Sequence, residues 1–107
     1  MAAAVPGRAA APADGMRCGK LDNGLTYYIR HVDTQPGMAG FYLVQNVGSL
    51  MEEDNQKGLA HFLEHMAFNA SQHFPGRIDR FLQEHGLVHY NAYTAQDETV
   101  YTIDEVP

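Results

Sequence analysis

The chain has 107 residues, 45% of them hydrophobic, and a formal net charge of −6 at pH 7. This length and composition are typical of a globular chain with at most one domain. With 7 Lys and Arg against 13 Asp and Glu, it lacks the basic cluster that binds phosphate backbones, so nucleic acid is not expected as a partner. No apolar stretch approaches the about 20 residues of a membrane-spanning helix.

The start of the chain differs in composition from the rest. Residues 1–15 are rich in Ala, Pro and Gly and contain no apolar run long enough for the core of a signal peptide. We therefore expect residues 1–18 to form a flexible leader, followed by a domain at residues 19–107. The single cysteine, Cys18, cannot form an internal disulfide.

Beyond the leader, the pattern predicts the order strand, strand, helix, helix, strand, strand. Residues 25–30 and 39–47 are rich in β-branched and aromatic residues, and the Pro36-Gly37 turn separates them. Residues 89–94 and 98–104 are predicted to be the last two strands. This order predicts an α+β fold.

The most informative pattern is HFLEH at residues 61–65. If residues 55–69 form a helix, its 3.6 residues per turn place His61, Glu64 and His65 on one face. The opposite side is an apolar stripe, which we expect to pack into the core. The stripe consists of Leu59, Ala60, Phe62, Leu63, Met66 and Ala67.

Two imidazoles one helical turn apart are suited to zinc, which in catalytic sites takes three protein ligands and keeps an open position for water. We therefore predict a zinc site with His61 and His65 as ligands. Glu64 can take the proton of a water whose acidity the metal has raised, which is the role of a general base. A direct ligand role for Glu64 stays open. Because protons compete with the metal for both imidazoles, two-ligand zinc binding is expected to be weak and pH-dependent.

Both predicted helices have marked ends. Acidic residues before the first helix suit the positive end of its dipole, and Asp54 or Asn55 is the expected cap. Pro75 opens the second helix and Gly86 ends it. The second helix has three apolar positions that we expect in the core, which are Ile78, Phe81 and Leu82.

The residues around HFLEH closely resemble, in order and spacing, the N-terminal end of the insulinase/pitrilysin family of zinc metallopeptidases (M16). The matching segments are LDNGL at 21–25, FYLV at 41–44, NQKGLAHFLEHMAF at 55–68, NAYT at 91–94 and ETVY at 98–101. The resemblance implies the incomplete N-terminal half of an M16 domain, with a two-layer, antiparallel-rich sheet and helices on one face. It also implies that His61 and His65 bind Zn²⁺ and that Glu64 is the catalytic base.

The same resemblance implies where substrate binds. The family adds extended peptides to the edge of a sheet, where main-chain hydrogen bonds hold the peptide. It places Asn91 and Ala92 on that edge strand, with Phe68 and Tyr93 as further pocket candidates.

The family's third zinc ligand is a glutamate well downstream of His65, which would lie beyond Pro107. The acids that follow the motif lack the family's spacing, so we do not expect any of them to take that role. They are Glu84, Asp97, Glu98 and Glu105.

The sequence thus predicts part of a zinc-dependent metalloendopeptidase, which alone would be weakly active or inactive. One alternative is a non-catalytic partner or scaffold module of an M16-type complex, and another is a zinc hydrolase that acts on something other than peptides. The expected partners are a peptide substrate and either the remainder of its own polypeptide or a second copy, because a partial domain buries a small core. The resemblance is nearest to bacterial envelope members, which implies the periplasm or cell envelope.

Overall fold

The computed structural model describes residues 15–107, so most of the expected leader lies outside the described residues. The described residues divide into two compact units, residues 15–36 and 37–107. In the first unit, β1 (Arg17–Lys20) pairs antiparallel with β2 (Thr26–Ile29). The sequence did not predict β1, because it has few strand-favouring residues and its pairing with β2 supplies the stabilisation. β1 begins at Arg17, two residues before the expected start of the domain at residue 19.

The second unit contains a three-stranded antiparallel sheet. Its strands are β3 (Ala39–Gln45), β4 (Tyr90–Thr94) and β5 (Thr99–Val106), in the spatial order β3-β5-β4. The central strand, β5, supplies two of the most buried residues, Thr99 and Val100. In this sheet β4 is an edge strand, paired with β5 on one side.

Two helices precede the β4–β5 hairpin, α1 (Leu59–Met66) and α2 (Ile78–Glu84). α1 is shorter than the predicted span of residues 55–69. Residues 54–56 instead form a separate 3-10 turn, and Gly58 then takes a left-handed conformation with φ of 87°. That conformation favours glycine and sets the start of α1 at Leu59.

The cap of α1 also differs from the prediction. Neither Asp54 nor Asn55 caps it, because both lie in the preceding 3-10 turn. The carboxylate of Glu52 accepts hydrogen bonds from the N–H groups of Ala60 (2.8 Å) and Gly58 (3.2 Å). The hydrogen bond from Ala60 is the main reason that the pKa of Glu52 lies below its ordinary value, against the opposing effect of burial.

Apart from Ala60, the apolar stripe of α1 does not pack into a core, contrary to the prediction. Phe62 is 59% exposed and Leu63 is 56% exposed, whereas Ala60 and Glu64 are buried. The reason is the direction in which the helix packs, since α1 contacts β4 through the side that carries Glu64. Phe62 and Leu63 lie on the opposite side of the helix, which no element of residues 37–107 covers.

The second helix agrees better with its predicted pattern. Leu82 is buried and Ile78 is half-buried, but Phe81 is 40% exposed and lies against the rings of Phe74 and His85. The antiparallel sheets and two helices confirm the α+β fold class. Within the described residues, no helix combines the length and the hydropathy needed to cross a bilayer.

Candidate metal centre

His61 and His65 point their imidazoles at each other from one face of α1. Their Nε2 atoms lie 3.0 Å apart and their ring centroids 4.7 Å apart. Tetrahedral zinc with Zn–N bonds of about 2.0–2.1 Å separates two ligand nitrogens by about 3.3 Å. The two nitrogens therefore converge closely enough for one metal ion to bind both.

Glu64 completes a cluster with the two histidines. One possible ligand atom from each of His61, Glu64 and His65 lies within 4.8 Å of the others. Both histidines are exposed, whereas Glu64 is turned toward the sheet and is only 6% exposed. Two imidazoles and a carboxylate form a donor set that fits zinc.

A residue without an assigned role in the sequence analysis holds the Glu64 carboxylate. The hydroxyl of Thr94, the last residue of β4, donates a hydrogen bond to Glu64 Oε2 at 2.5 Å. On β4, Ala92 and Thr94 are half-buried while Asn91 and Tyr93 are exposed, so alternate residues share a face. This alternation could be predicted from the sequence, but the packing of α1 on that face could not.

Aromatic rings lie close to Glu64. Phe68, just beyond the end of α1, has its ring centroid 6.0 Å from that of Tyr90 and 6.1 Å from that of Tyr101. Burial, and then the negative charge of Glu64, raises the pKa of Tyr101 above its ordinary value. Glu64 is therefore close to the Thr94 hydroxyl on β4 and to the ring of Tyr101 on β5.

An open cavity of about 300 Å³ adjoins this cluster. It brings together several residues predicted for the site, which are Glu64, His65, Phe68, Asn91 and Ala92. Three further residues line the cavity that were not predicted from the sequence, Arg77, Asp79 and Tyr90. Arg77 and Asp79 form a bidentate ion pair, with nitrogen–oxygen distances of 3.0 and 2.6 Å.

Tyr93, the remaining substrate-binding candidate, does not line this cavity. It lies on the opposite face of β4 from Thr94, and its hydroxyl donates a hydrogen bond to Glu98. That bond is the main cause of the raised pKa of Tyr93. The Tyr93 side chain therefore lies outside the cavity that the other candidates line.

The outer edge of β4 presents main-chain groups near the cluster. Hydrogen bonds from Ala95 N–H to Glu98 O and from Asp104 N–H to His89 O fix the alternation of the β4–β5 ladder. By this alternation, the N–H and C=O of Ala92 point away from β5. The Asn91 side-chain oxygen accepts the hydrogen bond of that N–H at 2.9 Å.

Comparison with known proteins agrees with this geometry. The family described as Insulinase (Peptidase family M16) matches residues 23–106. The "Probable zinc protease PqqL" of Escherichia coli strain K12 is 42% identical over 107 residues, which cover 92% of this chain and 12% of that protein.

Solved structures show the same fold. The crystal structure of the first half of the periplasmic protease PqqL from Escherichia coli matches with a TM-score of 0.81 and 38% identity, over 98% of this chain and 22% of that one. A mutant of the ferredoxin protease FusC, in complex with Arabidopsis ferredoxin, matches with a TM-score of 0.78 and 32% identity, over 84% of this chain and 10% of that one. The predicted resemblance and fold are confirmed, and zinc is the metal that these relatives and the cluster indicate.

Proposed function

This chain belongs to the insulinase family, peptidase family M16, and we propose that it carries the metal-binding and proton-accepting residues of a zinc metalloendopeptidase. The observation that supports this most directly is the convergence of the His61 and His65 Nε2 atoms at 3.0 Å, with a carboxylate beside them. Two imidazoles of this spacing would hold the ion. Bound zinc polarises a water molecule and lowers its pKa toward neutrality.

Glu64 is the proposed general base. Its carboxylate lies beside the two imidazoles, and Thr94 holds one of its oxygens. A carboxylate in that position can accept a proton from water as the water attacks a peptide carbonyl. Glu64 lies close enough to the imidazoles to serve as a ligand as well, so a variant that keeps its shape and removes its charge is the informative one.

The edge strand β4 is the proposed binding site for an extended peptide. A peptide added there would pair with the outward N–H and C=O of Ala92, close to the metal cluster. Asn91 would release the Ala92 N–H and offer its amide to the peptide, and Phe68 would contact a substrate side chain in the cavity. Tyr93, on the opposite face, would contribute through its main chain.

The remaining parts of the site would come from outside this chain, which spans 12% of the length of the Escherichia coli relative. We propose that the remainder of the polypeptide or a second copy supplies the third zinc ligand and covers the exposed side of α1. The exposed Phe62 and Leu63 support a covering partner, because an apolar surface of this kind is usually buried. A periplasmic location is proposed from the periplasmic relative.

The substitution Glu64→Gln in the full-length polypeptide tests this function. We expect peptide cleavage to fall by about 10²–10⁴-fold, because the amide cannot accept the proton. The matched control is Glu84→Gln, an exposed carboxylate on α2 that pairs with Arg80, which should cleave at the normal rate.

The outcome also separates the alternative functions. If Glu64→Gln cleaves peptides at an unchanged rate, Glu64 is not the catalytic base. The remaining interpretation would be that this chain is a non-catalytic module. A hydrolase of other substrates would keep its activity when Asn91→Ala alters the peptide-binding edge.

A further inference from the structure

The hydrogen bond between Thr94 and Glu64 joins two residues 30 positions apart, one in a strand and one in a helix. A buried carboxylate is costly unless donors satisfy it, and a charged acceptor strengthens the hydrogen bond that it receives. Glu64 is buried and the Thr94 hydroxyl reaches its Oε2. The bond therefore anchors one carboxylate oxygen to β4.

The position of this anchor is functionally relevant. The helix backbone fixes where the Glu64 side chain starts, and Thr94 fixes where it ends. Reacting groups need to be held within about 0.5 Å of a productive position. A neutral hydroxyl does this without removing the negative charge that a base or ligand needs.

We propose that Thr94 is a positioning residue of the metal site, which orients the Glu64 carboxylate beside His61 and His65. This inference rests on the proposed function of Glu64 and adds the residue through which that function is maintained. Because the Thr94 hydroxyl donates to the Glu64 carboxylate, the effect of Thr94 should disappear when Glu64 no longer carries a carboxylate.

The structure provides a closely matched control. Thr99 lies directly opposite Thr94 in the β4–β5 ladder, and its hydroxyl donates to the Val47 carbonyl oxygen at 2.9 Å. Thr99→Val and Thr94→Val each replace one hydroxyl by a methyl group in the same strand pair. Only Thr94→Val removes a contact with the proposed metal site.

The experiment is a titration of the 107-residue chain with cobalt(II), whose visible spectrum reports the geometry around the metal. Thr94→Val should change the spectrum and weaken cobalt binding by about 10–100-fold, the usual effect of losing a partner that supports a metal site. Thr94→Ser keeps the hydroxyl and should restore most of both properties. Thr99→Val should lower stability and leave the cobalt spectrum as in the wild type.

The same variants are then combined with Glu64→Gln. In that background Thr94→Val should cause no further change in cobalt binding. Unchanged or tighter cobalt binding in Thr94→Val would overturn the proposal, as would an effect of equal size in both backgrounds. An effect of equal size in Thr99→Val would also overturn it, because it would show a general response of the hairpin.

Peptide cleavage by the full-length polypeptide provides a second measurement. Thr94→Val should lower kcat and leave KM within about twofold, because the residue acts on the base and not on substrate binding. If Glu64→Gln cleaves peptides normally, the proposed function fails, whereas the cobalt titrations still decide whether Thr94 acts through Glu64.

Discussion

The carboxylate of Glu52 accepts a hydrogen bond from the backbone N–H of Ala60 at 2.8 Å, one residue before His61. Because the first N–H groups of a helix have no partner within the helix, this bond stabilises the start of α1. The placement of His61 therefore depends on an acid outside the helix. Glu52 thus connects the segment before α1 to the position of a proposed metal ligand.

Replacing Glu52 by Gln should lower the stability of the chain. The amide is a weaker acceptor for backbone N–H groups and does not complement the helix dipole. The measurement is urea unfolding at neutral pH, with Asp54→Asn as the control. Asp54 is an exposed acid paired with Lys57, so its substitution should have little effect. A larger loss in Asp54→Asn would support the cap that the sequence predicted.

The contribution of Glu52 should also depend on pH. The folded chain lowers the pKa of Glu52, mainly through the hydrogen bond from Ala60. The unfolded chain therefore binds a proton at a higher pH than the folded chain does. The stabilisation is fully present above the unfolded pKa and is lost as the pH falls through the folded pKa. The difference in unfolding free energy between wild type and Glu52→Gln should become smaller as the pH falls from the unfolded pKa to below the folded pKa. A difference that stays constant would contradict this explanation.

Gly58→Ala should destabilise the chain by about 1–3 kcal/mol, because a non-glycine residue is strained in the left-handed conformation. Gly58 has φ of 87°, and an added Cβ would meet nothing within 4 Å, so backbone strain is isolated from crowding. Gly76→Ala is the control, since Gly76 has open space around it and no positive φ. Equal unfolding free energies for the two variants would show that the start of α1 does not depend on this conformation.

Asn91→Ala should raise the KM for peptides more than it lowers kcat. Asn91 lines the cavity beside the metal cluster, and its side chain accepts the hydrogen bond of the outward Ala92 N–H, so its proposed role is to hold substrate. Initial-rate kinetics of the full-length polypeptide test this, with Asn55→Ala in the turn before α1 as the control. A loss confined to kcat would indicate that the main effect of Asn91 is on the reacting groups.

The metal motif was the part of the site that the sequence could predict. The spacing of His61, Glu64 and His65 is local to one helix, so helical periodicity alone brings them together. Thr94 lies 30 residues from Glu64, and the sequence pattern does not indicate which side of α1 packs on β4. For the same reason the pattern predicted core packing for Phe62 and Leu63, which are exposed.

The strand assignments show the same limit. The patterned strands β3, β4 and β5 lie close to the predicted spans, with shifts of one or two residues at their ends. β1 has a weak pattern and is formed by pairing with β2. The predicted cap of α1 was wrong because the sequence did not indicate the 3-10 turn at residues 54–56. Glu52, which lies before that turn, accepts the hydrogen bonds at the start of α1 instead.

Zinc titration of the chain against a chromophoric chelator tests the central claim most directly, in the wild type and in His61→Ala, His65→Ala and His73→Ala. His73 lies outside the cluster and serves as the control. Each of the first two variants should lower zinc affinity by at least about tenfold, because each removes one ligand, while His73→Ala should bind as the wild type does. Zinc affinity that is insensitive to His61 and His65 would contradict the assignment of this cluster as the metal site.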